Sequence, residues 1–389
     1  MKHYDVVVIG AGPAGLCAGI SAATAGGSVL VIDRRSEIGS PVRTSGGSWI
    51  SEMKELGVPD SLYHPIDRVT FRSTNEEASF LSSPPQHCVL NVRGLYQYLA
   101  ETALNQGAEI ALRTRAIALL MEDRRVKGVK LSRFSEEMDV AANVVIDASG
   151  YAHFSHKGMG IDVAHRFGEG VEYELIAAAP QNETVLFVGE KVCRSGYAWL
   201  FPCGNSRVRI GVGLIRPDSL ENPVPVLNEF IKANNYAEGF SEIEFHHGVV
   251  PSWGYLKKNV YGGLIIIGDA AGHLPLLVGE GIRFAMKAGL TAGKVAAQAV
   301  RKDNPSERAL SGFKREWLNR HLLSFRISFH INKQISRFGD REWDKAIGFL
   351  SKMKPDVFFP LLKSDFSAPL IMSLAAALAR PPHFLKWKG

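Results

Sequence analysis

Three unbroken apolar runs of strand length frame this chain: Val6-Val-Val-Ile9, Val29-Leu-Val-Ile32 and Leu264-Ile-Ile-Ile267. Runs of this kind read as strands of a parallel sheet, apolar throughout because helices cover both faces. Between the first two, Ala18, Ala22 and Ala23 keep a helix slim, and Gly26-Gly27 ends it. Residues 91–104 repeat at helical period, with Leu95, Leu99 and Leu104 on or near one face. Glu109–Leu112, Ala116–Leu120, Val126–Leu131 and Val140–Ile146 then read as strands that return the chain to Asp147-Ala-Ser149-Gly150.

From about residue 160 the pattern changes to alternating segments, Thr184–Val188, Tyr197–Phe201 and Val208–Ile215. The last two flank the turn signal Pro202-Cys-Gly-Asn-Ser, which predicts an antiparallel hairpin in a separate sheet. Ile282–Val300 reads as an Ala- and Gly-rich helix, and residues 305–389 as helical stretches around Trp317, Leu322, Phe325 and Phe329, then a Pro-broken apolar tail. The organisation is therefore interleaved. Residues 1–60, 86–160 and 260–304 form one domain, 61–85 and 161–259 a second with 61–85 as a short excursion, and 305–389 a helical region. The fold class is α/β, with α+β character in the second domain.

The first strand ends in Gly10-x-Gly12-Pro13-Ala14-Gly15, where backbone N–H groups and a helix start can receive a pyrophosphate that side chains would block. Asp33 closes the second strand, suited to ribose hydroxyls, with Arg34 beside it. A plain strand-turn-helix with a surface aspartate is the alternative. Composition adds limits. The 389 residues exceed one ordinary core, and a formal net charge of +6 suits a phosphate-bearing ligand or an anionic membrane. No basic run with interleaved aromatics points to nucleic acid. Four scattered cysteines, Cys17, Cys88, Cys193 and Cys203, show no zinc spacing or disulfide framework, so a reducing cytoplasm is the expected location. The first strand runs straight into the glycine motif, so no secretory signal is expected. No metal is expected either: the twelve histidines are scattered, and His246 and His247, adjacent on a strand, should point to opposite faces.

Taken together, Gly10-x-Gly12-x-x-Gly15, Pro41-Val-Arg43, Arg93, Asp147-Ala-Ser149-Gly150, Tyr197-x-Trp199-x-Phe201-Pro202 and Gly268-Asp269-Ala-Ala-Gly272 with Gly279-Glu-Gly281-Ile282 resemble the geranylgeranyl reductase family. The likeness spans about residues 1–300. It implies FAD on a p-hydroxybenzoate hydroxylase-like fold: a Rossmann-like FAD-binding domain interleaved with an antiparallel-sheet substrate domain, and a C-terminal helical region. It further implies that Asp269 binds a ribityl hydroxyl, and that Gly279, Gly281 and Ile282 meet the flavin at a helix start, where negative charge collects on reduction. Arg93 would contact the phosphates, Thr44, Ser45 and Gly47 would lie in the loop that approaches the ring, and Arg43, Ala116 and Gly150 would complete the cofactor site.

Tyr197 and Trp199 are the catalytic candidates; two apart on one strand, they share a face and could wall an apolar cavity, with sheet core as the alternative. Archaeal members of the family often carry Cys after Pro-Val-Arg, whereas this chain has Thr44, which argues against a thiol role there. Cys193 and Cys203 read as small buried residues. The implied reaction saturates double bonds of a prenyl-chain lipid or diphosphate by hydride transfer from reduced flavin. A flavin monooxygenase or halogenase of the same fold is the alternative, as is a non-catalytic flavin or lipid carrier. No second Gly-x-Gly-x-x-Gly unit is present, so NADPH, ferredoxin or another carrier stays open as electron donor. A monomer or weak oligomer is expected, and Phe366–Ala379, broken by Pro369 and flanked by Arg380, Phe384, Lys386, Trp387 and Lys388, is read as a contact with the inner face of the membrane or as a core helix.

Overall fold

The computed structural model describes residues 1–176, 180–234 and 241–367. Its first sheet runs, in spatial order, Val260–Tyr261, Leu264–Ile266, Glu136–Asp147, Lys2–Ile9, Val29–Ile32 and Glu109–Ala111. The four pairings from Leu264–Ile266 to Glu109–Ala111 are parallel. Arg125–Arg133 and Thr114–Glu122 branch from Glu136–Asp147 as antiparallel strands. Helix Pro13–Thr24 packs on helix Ile282–Arg301 with backbones nearly touching: a Cβ on Gly289 would lie 2.2 Å from the Ala14 carbonyl oxygen, and one on Gly293 2.2 Å from that of Ala18. Those small residues bring the late helix against the opening motif.

On helix Val92–Asn105, Leu95 and Leu99 are buried as expected, but Leu104 is 53% exposed and Ala103 takes the core position. At 3.6 residues per turn the buried face continues from 95 through 99 to 103, not 104.

The second sheet has seven strands, in the order Ser241–Pro251, Phe167–Ile176, Arg207–Arg216, Gly196–Gly204, Glu183–Val188, Arg68–Arg72 and Glu77–Leu81. The predicted hairpin is there: Gly196–Gly204 pairs antiparallel with Arg207–Arg216, and Asn205 and Ser206 both take positive φ in the turn. Residues 61–85 are more than an excursion. Tyr63–Ile66 joins Gly47–Trp49 and His87–Leu90 in a small third sheet, while Arg68–Arg72 pairs parallel with Glu183–Val188 and extends the large one.

Strict alternation divides the large sheet into two faces. Val208, Ile210 and Val212 turn toward Leu227 and Phe230 of helix Pro223–Ala233. The opposite face carries Trp199, Phe201 and Leu186, which pack with Ile347, Phe358, Phe359 and Leu362 from helices Asp340–Leu350 and Pro355–Leu362. The C-terminal helices thus roof the second sheet. No helix among the described residues is long and apolar enough to cross a membrane. Of the apolar tail, Phe366 is described and buried; Pro369, Arg380, Phe384, Lys386, Trp387 and Lys388 lie outside the described residues.

Candidate active site

The three motif glycines do different jobs. A Cβ on Gly10, which has φ +103°, would fall 2.4 Å from the Ala148 carbonyl oxygen, and one on Gly15 only 1.8 Å from that of Gly10. At Gly12 a Cβ would meet nothing within 4 Å, so that backbone faces open space. Asp33 ties the loop to the second strand: its carboxylate accepts from the Ala11 N–H at 2.9 Å and from the Arg35 N–H at 2.8 Å.

A cavity of about 510 Å³ opens here. Gly10, Gly12, Pro13, Ala14, Asp33 and Arg34 line one end, with Arg35, Arg43 and Arg115 adding cations. Burial, with Arg35 and Arg34 close by, lowers the Arg43 pKa, while Asp33 works the other way, so cations crowd this corner. A diphosphate would relieve that crowding. Ala116 and Gly150 line the cavity as well. At the other end stand Thr44, Asp269, Gly279, Gly281 and Ile282. Burial pushes the Asp269 carboxyl up to about 6, still ionised at neutral pH and able to accept from a hydroxyl. Helix Ile282–Arg301 starts at Gly281 without a side-chain cap, leaving first-turn N–H groups for a ligand. Glu280 anchors that turn between Ser48 at 3.1 Å and Arg283 at 2.6 Å. Cradle, cations and acid fit FAD.

A second cavity, of about 380 Å³, shares Arg43, Thr44, Val250 and Gly279 with the first. Tyr197 and Trp199 form part of its floor, and Ile331, Ile335, Trp343, Leu350, Phe358 and Leu362 part of its roof. The Tyr197 hydroxyl donates to the Val278 carbonyl at 2.9 Å, which fixes the approach to Gly279. Ser45 and Gly47 lie in a smaller cavity of about 90 Å³ at the same junction.

Register explains the floor. Trp199, Gly211, Glu172 and His246 stand in one row across four neighbouring strands. A Cβ on Gly211 would be 2.4 Å from Trp199 Cζ2, so the indole crosses this strand only because Gly211 has no side chain. The Trp199 Nε1–H then donates to Glu172 Oε2 at 2.9 Å. The next row is Phe201, Arg209, Glu174 and Glu244. Buried Arg209 pairs with Glu174 at 2.9 Å and donates to the Ser45 carbonyl at 2.7 Å, so the sheet grips the loop between the cavities. Burial alone would raise the Glu174 carboxyl, but Arg209 and Arg207 hold it below the usual carboxylate range.

Most of the expected site residues converge on these cavities. Arg93 does not line them: it pairs with Glu37 at 2.8 Å, its backbone packed against Gly39. Gly15 is buried beneath the loop and shapes it from behind. Cys193 is buried, and burial pushes the Cys203 thiol up to about 12, which leaves it protonated and unreactive near neutrality. Sequence reasoning missed Glu172, Arg209 and the place of His246 beside them, and it expected the C-terminal helices without their position over this cavity. Gly211 and Gly213 were visible as a signal, since the predicted hairpin sets them opposite Trp199 and Tyr197.

Fold and site define an FAD-dependent oxidoreductase. Residues 5–188 match the FAD dependent oxidoreductase family model, and residues 169–250 that of the geranylgeranyl reductase catalytic domain. The chain is 32% identical to a digeranylgeranylglycerophospholipid reductase of Methanothermobacter thermautotrophicus, over 88% of this chain and 91% of the relative. It is 30% identical to one from Methanococcoides burtonii, over 99% and 94%. It belongs to the geranylgeranyl reductase family. A geranylgeranyl bacteriochlorophyll reductase-like protein of Thermoplasma acidophilum superposes with a TM-score of 0.87 at 23% identity, over 97% of this chain and 100% of the other. A flavin-dependent brominase superposes with a TM-score of 0.69 at 19% identity, over 96% and 98%; at that distance the likeness is one of fold.

Proposed function

We propose that this enzyme saturates carbon–carbon double bonds in the geranylgeranyl chains of a membrane lipid; the two relatives above are named digeranylgeranylglycerophospholipid reductases. One observation carries the reading: an apolar cavity roofed by the C-terminal helices opens onto the FAD site at Thr44 and Gly279. An isolated alkene is a poor hydride acceptor, so the protein must supply position, dryness and charge stabilisation. Bound FAD, when reduced, supplies the hydride.

The chain's own residues do the rest. Gly10, Gly12 and the start of helix Pro13–Thr24 would hold the diphosphate with Arg34 and Arg43, Asp33 a ribose hydroxyl, and Asp269 a ribityl hydroxyl. Gly281 and Ile282 would direct N–H groups at the edge of the ring that gains charge. Tyr197 and Trp199 would set the chain against that ring, and Gly47 and Ser45 would allow close passage of the loop. A substrate of this kind makes contact with a membrane surface part of the reading.

The test is anaerobic. Dithionite-reduced enzyme mixed with digeranylgeranylglycerophospholipid in detergent should return to oxidised flavin, and mass spectrometry of the lipid should show hydrogen added at its double bonds. Reoxidation that requires oxygen, with oxygenated or halogenated product, would instead make it a monooxygenase or halogenase.

A further inference from the structure

Saturation needs a proton as well as a hydride, and neither Tyr197 nor Trp199 is placed to give one: the first donates to a backbone carbonyl, the second to a carboxylate. Behind Trp199 lies a chain of three titratable groups. His246 Nδ1 is 2.8 Å from Glu172 Oε1, and its Nε2 is 2.9 Å from Glu244 Oε2. Glu172 and His246 line the substrate cavity and have side chains only 3% exposed, whereas the Glu244 side chain is 36% exposed. Glu244 therefore touches solvent at one end, and Glu172 touches the cavity at the other.

Hydrogen-bond inventory adds a constraint. Each ring nitrogen of His246 faces a carboxylate oxygen, an acceptor alone when ionised. A neutral imidazole donates from one nitrogen only, so satisfying both contacts requires one proton beyond the neutral-imidazole, two-carboxylate state. The two hydrogen bonds give that proton a route along the row.

We propose that Glu244, His246 and Glu172 form a proton path from solvent to the substrate cavity, and that it delivers the proton completing alkene saturation. This rests on the reductase reading above. In the balanced step, the hydride's electron pair makes one new C–H bond and the alkene's π pair makes the other with the incoming proton. The electrons of the broken O–H bond stay on Glu172 as its carboxylate, which regains a proton through His246 Nδ1 while Glu244 reloads Nε2 from water. The alkene gains two electrons and the reduced flavin loses two.

The groups facing His246 set the pH dependence. Burial works against its imidazolium, but hydrogen bonds to Glu172 on the neighbouring strand and Glu244 on its own outweigh that and raise its pKa above 6.5; Arg209, from the strand beyond Glu172, works against charging. A group of raised pKa is protonated at low pH and loses its proton as pH climbs through that value. Lipid-driven reoxidation should therefore fall on the alkaline side of the His246 midpoint.

The experiment uses full-length FAD-loaded protein. Reoxidation of reduced enzyme by digeranylgeranylglycerophospholipid is followed anaerobically across pH, and the His246 midpoint is read by NMR on histidine-labelled protein. Glu172→Gln keeps an amide oxygen for the Trp199 N–H but carries no acid proton, so it should slow lipid-driven reoxidation about 100-fold or more. Flavin content should stay at the wild-type level. Glu244→Gln should lower the His246 midpoint and move the alkaline limb of the rate with it.

A Glu172→Gln enzyme with wild-type rate and pH profile overturns the proposal alone. So does a Glu244→Gln enzyme whose His246 midpoint moves while the rate profile does not. Wild-type enzyme that the lipid fails to reoxidise at any pH overturns the reductase reading, and this path with it.

Discussion

The two cavities meet at Thr44 and Gly279 yet are built by opposite means. The FAD cavity is made at strand ends. Gly10 and Asp33 follow the strands Lys2–Ile9 and Val29–Ile32, and Asp269 follows Leu264–Ile266, so backbone N–H groups and a few acids stand where loops leave a parallel sheet. The apolar cavity is made of faces. Alternate residues of an antiparallel sheet form its floor and three C-terminal helices its roof. A ligand with a diphosphate demands donors at fixed points; a hydrocarbon chain demands volume and dryness. The first demand leaves a motif in the sequence, the second leaves little more than apolar composition.

Arg209→Met should break the contrast itself, because this side chain serves both regions. It leaves buried Glu174 with Arg207 as its remaining ion-pair partner and frees the Ser45 carbonyl, an expected loss of about 3 kcal/mol in urea unfolding. Flavin content and lipid-dependent reoxidation should fall together; loss of only one would show the cavities to be independent at this point.

Gly15→Ala should strike the FAD side alone. Its Cβ would press on the Gly10 carbonyl, overpacking worth up to about 3 kcal/mol, and the purified protein should emerge with little bound flavin, read from its absorbance. Gly211→Ala is the matching lesion on the lipid side. Displacing the indole should cost about 1 kcal/mol, leave flavin content unchanged and slow reoxidation by the lipid.

The last effect is one of pH and belongs to Asp269. Its pKa is raised from 3.8 to about 6 by burial, so the folded protein binds this proton more tightly than the unfolded chain. Stability of flavin-free protein should therefore decline as pH rises from about 4 through about 6. Thermal melts of Asp269→Asn should lose that slope; an unchanged slope would assign it to another group.

The comparison also marks what was legible beforehand. The glycine motif, Asp33 and the Pro202–Ser206 hairpin were readable because each constrains its own backbone within a few residues. The partner of Arg93 was not legible, because a long cation takes the nearest carboxylate, here Glu37, wherever the fold places one. Residues 61–85 were assigned to the second domain, but their strand pairing was not legible because Arg68–Arg72 finds its parallel partner more than a hundred residues away. His246 was read only as facing away from His247, since nothing near it in sequence announces Glu172 across the sheet.

By itself, then, the sequence determined the FAD half: chain direction at each strand end, the tight approach at Gly10 and Gly15, and the acids at Asp33 and Asp269. Tertiary structure alone decided the apolar half, bringing Trp199, Gly211, Glu172 and His246 into one row and laying helices Asp340–Leu350 and Pro355–Leu362 over it. The physical reason is range. Backbone conformation is set by neighbours along the chain, whereas strand register and the closing of a roof are settled by contacts between segments that the sequence keeps far apart.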